Sequence, residues 1–223
     1  MRQRWNLFYQ ILNLAVRLAP TRWKFYGNTI LFRTTLDNVP PVSMPVPYHW
    51  KWASAEEIAF MDKHPEAEMR TAYPRRAAYG DRCVCLMKGK ELAGYQWISL
   101  RSGCTWCDPR PSWEIPFLPL KATQAFFYDL YVYKQFRGQG LGILLKRLSL
   151  RIVKEQGIEE VFALVSCDNL ISLKLRIRTG DTPVRTVNFY RIRRWYKLFL
   201  GPLKDPQLMQ WWTGFSAKKR LEI

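Results

Sequence analysis

The chain has 223 residues, 48% of them hydrophobic, and its 35 lysines and arginines against 18 aspartates and glutamates give a formal net charge of +17. This length favours one well-buried core over two full domains, and the apolar and aromatic content argues against a disordered chain. The positive charge favours an anionic partner: nucleic acid, an acidic membrane surface, an acidic carrier protein or a polyphosphate cofactor.

Residues 1–19 predict an amphipathic helix that ends before Pro20, because their polar residues fall three and four apart. The apolar stretch is too interrupted for a transmembrane span, and Asn13 and Arg17 break the core that a signal peptide needs. Two interpretations remain open for this segment. The helix lies in the membrane interface with its arginines near headgroups, or it packs on the core of the domain.

The next elements are a strand at Asn28–Thr35, a proline-rich loop over 38–47 and a helix running to about Lys63, for which Ser54 and Glu57 form a capping box. The later elements, in chain order, are a short helix between Pro65 and Tyr79, strands Cys83–Met87 and Leu92–Leu100 joined at Lys88-Gly89-Lys90, a loop at Arg101–Leu120, a strand at Phe126–Tyr133, a helix at Leu141–Gln156, a strand at Glu160–Ser166, a helix at Leu170–Thr179 and a strand at Val184–Arg193.

The five cysteines include a C-x-x-C pair, Cys104 and Cys107. The two histidines, His49 and His64, are not spaced to complete a four-ligand zinc site. We therefore expect no metal, and reduced thiols of the kind found in cytoplasmic proteins.

The stretch Gln135–Gly142 is the strongest chemical signal in the chain, since it places three glycines in five positions between a predicted strand and a predicted helix. Glycines let the backbone approach a ligand closely, and N–H groups at the start of a helix attract anions. No Lys-Ser or Lys-Thr follows, which excludes a nucleoside-triphosphate P-loop, and the spacing is not that of a dinucleotide-binding turn. The pattern that fits is R-x-x-G-x-G, formed by Arg137, Gly140 and Gly142.

With this pattern the chain resembles the GNAT superfamily of acetyl-CoA-dependent N-acyltransferases. The resemblance continues upstream in Tyr128–Val132 and downstream in Asp168–Ser172, and the order of elements from Asn28 to Arg193 also agrees. It implies an α/β (α+β) fold with a mixed, mostly antiparallel sheet that is splayed at its central strands and has helices on both faces. We expect a domain at 25–195, after the helix of 1–24 and before a basic, aromatic extension at 196–223.

The resemblance also implies acetyl-CoA, or another acyl-CoA, as co-substrate. Backbone N–H groups from Gly138 to Gly142 would bind the pyrophosphate, with Arg137 shaping the loop. The pantetheine arm would lie along Tyr131–Val132, where this strand splays from Val161–Val165. The complete set of residues assigned to CoA is Leu130, Tyr131, Val132, Arg137, Gly138, Gln139, Gly140, Leu141, Gly142, Asn169 and Ser172.

Acyl transfer to an amine needs a neutral amine, a polarised thioester carbonyl and a proton for the leaving thiolate. The resemblance implies that the backbone N–H of Leu130 or Val132 polarises the carbonyl. The first candidate for the general base is Asp129, which shares a strand face with Tyr131, and the second is Glu114. An ion pair between Asp129 and an arginine is the competing interpretation.

The general acid is where the chain departs from the family, which often has a tyrosine four residues after the position of Ser172. Here that residue is Arg176, a cation that stabilises a thiolate by charge, while Tyr190 and Tyr133 are alternative proton donors. Asp181 likewise stands where the family has phenylalanine. Either other groups carry the reaction, or activity is reduced or absent.

The segments expected to flank the acceptor, Pro40–Trp52 and Arg101–Leu120, are rich in tryptophan and proline and poor in acids. They favour an anionic or amphiphilic amine over a polyamine or a basic peptide, and the basic surface suits peripheral contact with the inner face of the membrane or docking of an acyl carrier protein as donor. The extension at 196–223 suits a membrane or, less favoured, nucleic acid. The alternative function is therefore a catalytically silent GNAT-like module that binds a membrane or RNA.

Overall fold

The computed structural model describes residues 24–64, 72–100, 106–107, 114–115, 120–167, 169–192 and 195–201. The predicted N-terminal helix and most of the C-terminal extension lie outside these residues. The strands are β1 (Lys24–Thr35), β2 (Tyr48–Trp52), β3 (Arg82–Lys88), β4 (Glu91–Ser99), β5 (Trp106–Cys107), β6 (Glu114–Ile115), β7 (Gln124–Val132), β8 (Glu160–Ser166), β9 (Thr182–Ile192) and β10 (Trp195–Gly201), and the helices are α1 (Ala55–Lys63), α2 (Ala72–Ala78), α3 (Leu141–Lys154) and α4 (Leu170–Arg178), with a 3-10 turn at Lys134–Phe136.

The chain divides into two compact units. The first unit consists of the described parts of 1–31, 165–173 and 183–223, and its strands follow the order β10-β9-β1. In this unit Thr29 Oγ1 donates a hydrogen bond to the carbonyl of Val187 at 3.0 Å, and β9 pairs with β10 in antiparallel orientation.

The second unit consists of the described parts of 32–164 and 174–182, and its strands follow the order β1-β8-β7-β4-β3-β2. Here β2, β3, β4 and β7 are antiparallel neighbours, whereas β7 and β8 run parallel. The expected mixed, mostly antiparallel sheet is therefore confirmed.

Helices cover both faces of this sheet. Side chains of β7 point alternately to the two faces, so each helical layer contacts a different set of them. On one face, a Cβ placed on Gly142 of α3 would lie 3.8 Å from Leu130 and 4.0 Å from Val132. On the other face, the ring of Tyr133, which directly follows β7, lies 6.2 Å from that of Phe60 of α1. Most residues of β3 and β4 are buried in the core between these layers, including the polar Gln96 and Ser99 of β4.

Helix α1 begins where the capping box predicted it. The Ser54 hydroxyl accepts a hydrogen bond from the N–H of Glu56, while the Glu57 carboxylate accepts from the Ser54 N–H at 2.9 Å. Lys51 lies 2.6 Å from the same carboxylate. Burial alone would raise the pKa of Glu57, but the bonds from Lys51 and Ser54 lower it to about 2.

Four strands were not predicted from the sequence: β2, β10, and the two-residue strands β5 and β6, which lie inside the segment Arg101–Leu120 that we expected to be a loop. Strand β2 lies inside the segment Pro40–Trp52, which we expected only to flank the acceptor, and β10 runs through the predicted boundary at 195/196. Only two of the five residues of β2 are exposed, and the strand exists because it pairs with β3. This partner is distant in the sequence, so local periodicity does not reveal it.

Candidate active site

We call the loop Gly138–Gly142, expected to bind the pyrophosphate, the cradle. Two of its glycines, Gly138 and Gly140, adopt the left-handed backbone conformation, with φ of 80° and 74°. A Cβ at either position would meet no atom of the described residues within 4 Å, so that part of the chain does not crowd them. Glycine is therefore required here by the backbone conformation, and the space in front of the loop is open.

Five consecutive backbone N–H groups, from Gly138 to Gly142, have no hydrogen-bond acceptor among the described residues. The ladder of α3 begins only with Ile143 and Leu144, whose N–H groups donate to the Gly140 carbonyl at 3.0 and 3.2 Å. These free donors lie at the positive end of a 14-residue helix. An anion with several acceptor oxygens, such as a pyrophosphate, fits this arrangement.

Side chains tie the cradle to the sheet. Arg137 Nε donates to the carbonyl of Val132 at 2.9 Å, and its guanidinium lies 5.3 Å from the centre of the Tyr131 ring. The Tyr48 hydroxyl of β2 donates to Gln139 Oε1 at 2.7 Å. Tyr48 was missed by the sequence reasoning, since nothing local connects it to a loop 91 residues away.

The strand before the cradle has an open edge. The pairs between β7 and β8 end at Phe126 and Phe162, although β7 continues to Val132 and β8 to Ser166. The N–H of Tyr133 donates to Ala93 of β4 at 3.1 Å, so the N–H and carbonyl of Val132, one residue earlier, point away from β4. The splay between these strands, predicted from the resemblance, is thus present.

A β-bulge lies in the same strand. Tyr128 pairs with Trp97 and Tyr131 with Tyr95, so three steps along β7 match two along β4. The extra residue makes Asp129 left-handed, with a φ of 52°, a conformation that aspartate tolerates better than most residues. The bulge corrects the simple alternation assumed from the sequence, because it brings Tyr128 and Tyr131 to one face.

The second unit therefore contains an open glycine cradle, a parallel pair of strands that splays apart, and a bulge in one of those strands. The model of the acetyltransferase (GNAT) family matches residues 48–176, more than half of the chain. The chain belongs to the GNAT family. The matching model describes a family of acetyltransferases.

Solved structures agree on the GNAT fold. A Drosophila protein aligns with a TM-score of 0.58 and 15% identity, over 85% of this chain and 58% of its own. A putative GNAT acetyltransferase from Novosphingobium aromaticivorans aligns with a TM-score of 0.53 and 16% identity, over 83% of this chain and 70% of its own. A GCN5-related N-acetyltransferase from Sphaerobacter thermophilus aligns with a TM-score of 0.53 and 14% identity, over 80% of this chain and 56% of its own. The chain thus spans less than two thirds of the first and third of these proteins, and no curated protein matches it.

In this GNAT chain, Asp129 is not an isolated carboxylate. Its Oδ2 accepts a hydrogen bond from Arg76 Nη1 of α2 at 2.5 Å, and the two side chains are 24% and 5% exposed. The competing interpretation from the sequence, an ion pair with an arginine, is therefore confirmed. Burial acts to lower the pKa of Arg76, but the Asp129 carboxylate outweighs it and raises that pKa above its usual value. The guanidinium stays charged.

Arg176, which we predicted beside the leaving thiolate, lies instead in a buried ion cluster. Its Nη1 donates to Asp181 Oδ2 at 3.1 Å, and the same oxygen accepts from Lys146 of α3. Thr34 donates to the other carboxylate oxygen at 2.8 Å. Because the guanidinium is committed to Asp181 and is almost fully buried, the structure gives Arg176 a packing role in place of the catalytic one.

The remaining candidates lie elsewhere or are held closely. Asn169 Oδ1 accepts from the Ser172 N–H at 3.1 Å at the start of α4, and Tyr190 is opposite Lys197 in the β9/β10 pair; all three belong to the first unit. Their roles toward CoA and the thiolate stay predictions. Glu114, the alternative base, lies in β6, opposite Cys107.

Tyr133, the other candidate acid, is buried against the ring of His64 at 4.5 Å between centroids. Burial raises the pKa of Tyr133 well above its usual value, so its hydroxyl is a reluctant proton donor. In the part of the chain that the structure describes, no three His, Cys, Asp or Glu side chains are grouped to hold a metal ion. No helix of that part is long and apolar enough to cross a membrane.

Proposed function

We propose that this chain is an N-acetyltransferase that moves an acetyl group from acetyl-CoA to an amine. The observation that carries the proposal is the row of five N–H groups, Gly138 to Gly142, that have no acceptor among the described residues and lie beside the open edge of β7. A pyrophosphate supplies the acceptors that these donors lack. The pantetheine amides suit the unpaired edge of a strand in the same way that a neighbouring strand would.

In this proposal Arg137 keeps the cradle against β7 through its bond to the Val132 carbonyl. The N–H of Val132, on the open edge, polarises the acyl carbonyl, with the N–H of Leu130 as the alternative. Acetyl-CoA supplies an activated acyl group: the amine nitrogen forms the new C–N bond, the C–S bond breaks, and the proton lost from nitrogen ends on the released thiol.

The acceptor side is the face that carries Asp129 and the neighbouring rings. Asp129 is the group there that can take a proton from the attacking nitrogen, and Arg76 fixes the orientation of its carboxylate. Contact with the inner face of a membrane, and an acyl carrier protein as donor, rest on the net charge and on terminal segments that lie mostly outside the described residues. They remain proposals of lower rank.

The test is acetyl-CoA binding by calorimetry for the wild-type chain, Gly140→Glu and Gly157→Glu. Both glycines have positive φ, 74° and 83°, and open space at the Cβ position, so the backbone strain is matched. Only Gly140 lies in the cradle, where a carboxylate would repel the pyrophosphate. We expect Gly140→Glu to weaken binding by about 100-fold or more and Gly157→Glu to leave it unchanged.

Equal affinity in all three proteins would refute the cradle assignment. Thiol release from acetyl-CoA in the presence of amines then separates an enzyme from a silent module. Binding of acetyl-CoA without thiol release with any amine would identify the module, and liposome or RNA association with a steep salt dependence would support it.

A further inference from the structure

Six aromatic side chains cover the face of β4 and β7 that α1 and α2 pack on, and we call this set the aromatic face. The rings interlock: Tyr73 stacks on Trp97, Trp97 on Tyr128, and Tyr95 on Tyr131. The hydroxyls of Tyr73 and Tyr95 are 2.9 Å apart. The members of the aromatic face are Tyr73, Tyr95, Trp97, Tyr128, Tyr131 and Tyr133.

A cation already occupies this face. The guanidinium of Arg76 lies 5.3 Å from the ring of Tyr73, 5.5 Å from Trp97 and 4.8 Å from Tyr128. Aromatic faces together with a carboxylate are the arrangement that recognises organic cations, and the carboxylate here is Asp129, 2.5 Å away. The chain's own arginine therefore fills the cation position of this arrangement, and only Tyr128, Tyr131 and Asp129 of the group are partly exposed.

The filled site changes what an incoming amine meets. The exposed part of the Asp129 carboxylate offers little net negative charge, since the Arg76 cation compensates it at close range. A second cation, Arg137, lies over the ring of Tyr131 on the same face. The remaining carboxylate of this region, Asp81, is buried and accepts a hydrogen bond from the Tyr128 hydroxyl at 2.6 Å. An ammonium ion approaching this surface therefore meets a compensated ion pair and the Arg137 cation, so it gains no net attraction in return for its lost hydration, whereas a neutral amine does not pay that cost.

From this geometry, and resting on the proposed function, we infer that the acceptor is an amine that is uncharged at neutral pH, such as an arylamine or a hydrazide, and that Arg76 is the residue that imposes this selectivity. An alkylamine with an ordinary pKa is neutral in only about one molecule in 10³ at pH 7. An arylamine arrives neutral, and its flat ring can lie on the half-buried rings of Tyr128 and Tyr131.

The chemistry balances without a strong base. The neutral nitrogen uses its lone pair to form the C–N bond as the C–S bond breaks, and it loses one proton only during or after attack. That proton passes through the partly exposed Asp129 carboxylate or through water to the departing sulfur, so one thiol and one amide result. No oxidation or reduction takes place.

The first experiment compares aniline with benzylamine, which differ by one methylene but respectively are neutral and charged at pH 7. With acetyl-CoA and the wild-type chain, we expect kcat/KM for aniline to exceed that for benzylamine by about tenfold or more. In Arg76→Met, which keeps an apolar stem of similar length, the ratio should fall toward or below one. Arg76→Lys, which restores a charge, should return the ratio toward the wild-type value.

The pH dependence tests whether the neutral form of the amine is the one that reacts. For the wild-type chain between pH 6.5 and 8.5, kcat/KM should be flat for aniline and should rise for benzylamine by about tenfold per unit. Faster acetylation of benzylamine than of aniline by the wild-type chain at pH 7 would overturn the inference.

The second experiment does not depend on turnover. In Arg76→Ala, methylguanidinium should occupy the vacated position and raise the melting temperature, while sodium chloride at equal ionic strength should not. The wild-type chain and the double variant Arg76→Ala/Asp129→Asn should show no such rise, because the site is filled in one and lacks its carboxylate in the other. No rise in Arg76→Ala, with folding verified by circular dichroism, would overturn the cation site.

The outcomes separate the two proposals. A chain that fails to bind acetyl-CoA refutes the proposed function. A chain that binds acetyl-CoA and prefers charged amines keeps the proposed function and refutes the selectivity of Arg76. Binding of acetyl-CoA with neither amine acetylated also counts against the inference, whatever the second experiment gives.

Discussion

Arg176 and Asp181, the two residues at which this chain departs from the family pattern, are partners in one buried ion pair with a 3.1 Å bond. Arg176 alone would be a buried cation without a counter-ion, and Asp181 supplies that counter-ion. Together they form a pair, and Lys146 of α3 joins them. The substitution of tyrosine by Arg176 is thus explained by packing as one half of a paired change.

Removing the Asp181 carboxylate should destabilise the folded chain. In Asp181→Ala two buried cations, Lys146 and Arg176, lose their counter-ion, so we expect the free energy of unfolding to fall by about 3–5 kcal/mol. Urea denaturation measures the change. The control is Asp37→Ala, on the exposed turn after β1, whose free energy of unfolding should stay within about 0.5 kcal/mol of the wild-type value. A loss near that of the control would contradict the cluster.

The Lys146 ammonium gives the cluster a pH dependence. Burial and the Arg176 cation lower the pKa of Lys146 to about 7 despite Asp181, whereas in the unfolded chain it has its usual value of 10.5. The unfolded state therefore binds more protons between pH 7 and 10.5, and stability contributed by this site rises with pH across that window. The free energy of unfolding of Lys146→Met should lack this rise. If the two proteins gave parallel curves of unfolding free energy against pH, the assignment of the rise to Lys146 would be wrong.

Glu57 should act in the opposite range. Its pKa of about 2 in the folded chain is below the ordinary 4.5, so its contribution to stability is complete above 4.5 and is lost as the pH falls toward 2. Denaturation between pH 2 and 5 should show a decline in the wild-type chain that is absent in Glu57→Gln. At pH 7 this variant should be less stable by about 1 kcal/mol, since it loses the ionised partner of Lys51 and Ser54.

Gly94 separates crowding from backbone strain. A Cβ there would lie 2.6 Å from the carbonyl oxygen of Tyr131, so Gly94→Ala must push β4 away from β7 and thereby shift the strand whose other edge is open. We expect a loss of about 2–3 kcal/mol together with weaker acetyl-CoA binding. Gly89→Ala, at a φ of 58° with no atom within 4 Å, should cost about 1 kcal/mol and leave binding intact. A Gly94→Ala variant that binds normally would show that the edge is not part of the site.

Features that depend on neighbouring residues could be predicted from the sequence. The capping box located α1, the turn at Gly89 located the β3/β4 hairpin, and the pattern of Arg137, Gly140 and Gly142 located the cradle. In each case the residues that determine the conformation lie within six positions of one another. The order of elements then led to the family and hence to the splay.

Features that depend on distant partners could not be predicted. The Asp129 bulge is a mismatch of register with β4, and the sequence of β7 alone does not contain it. Arg76 is 53 residues from the carboxylate it pairs with. Tyr48 reaches Gln139 only because β2 pairs with β3, a pairing for which the local sequence gave no signal.

The splay between β7 and β8 leaves a seam inside the sheet, since the pairs end at Phe126 although both strands continue. A seam of this kind exchanges amide hydrogens with solvent until something bridges it. A ligand that lies in the seam completes the sheet as well as supplying a reactant, and by mass action it stabilises the folded chain in proportion to RT ln(1 + [L]/Kd). Amides of Leu130 and Val132 should therefore slow their exchange when the ligand is added. Under the proposed function, the stability of the folded chain then depends on the concentration of acetyl-CoA around it.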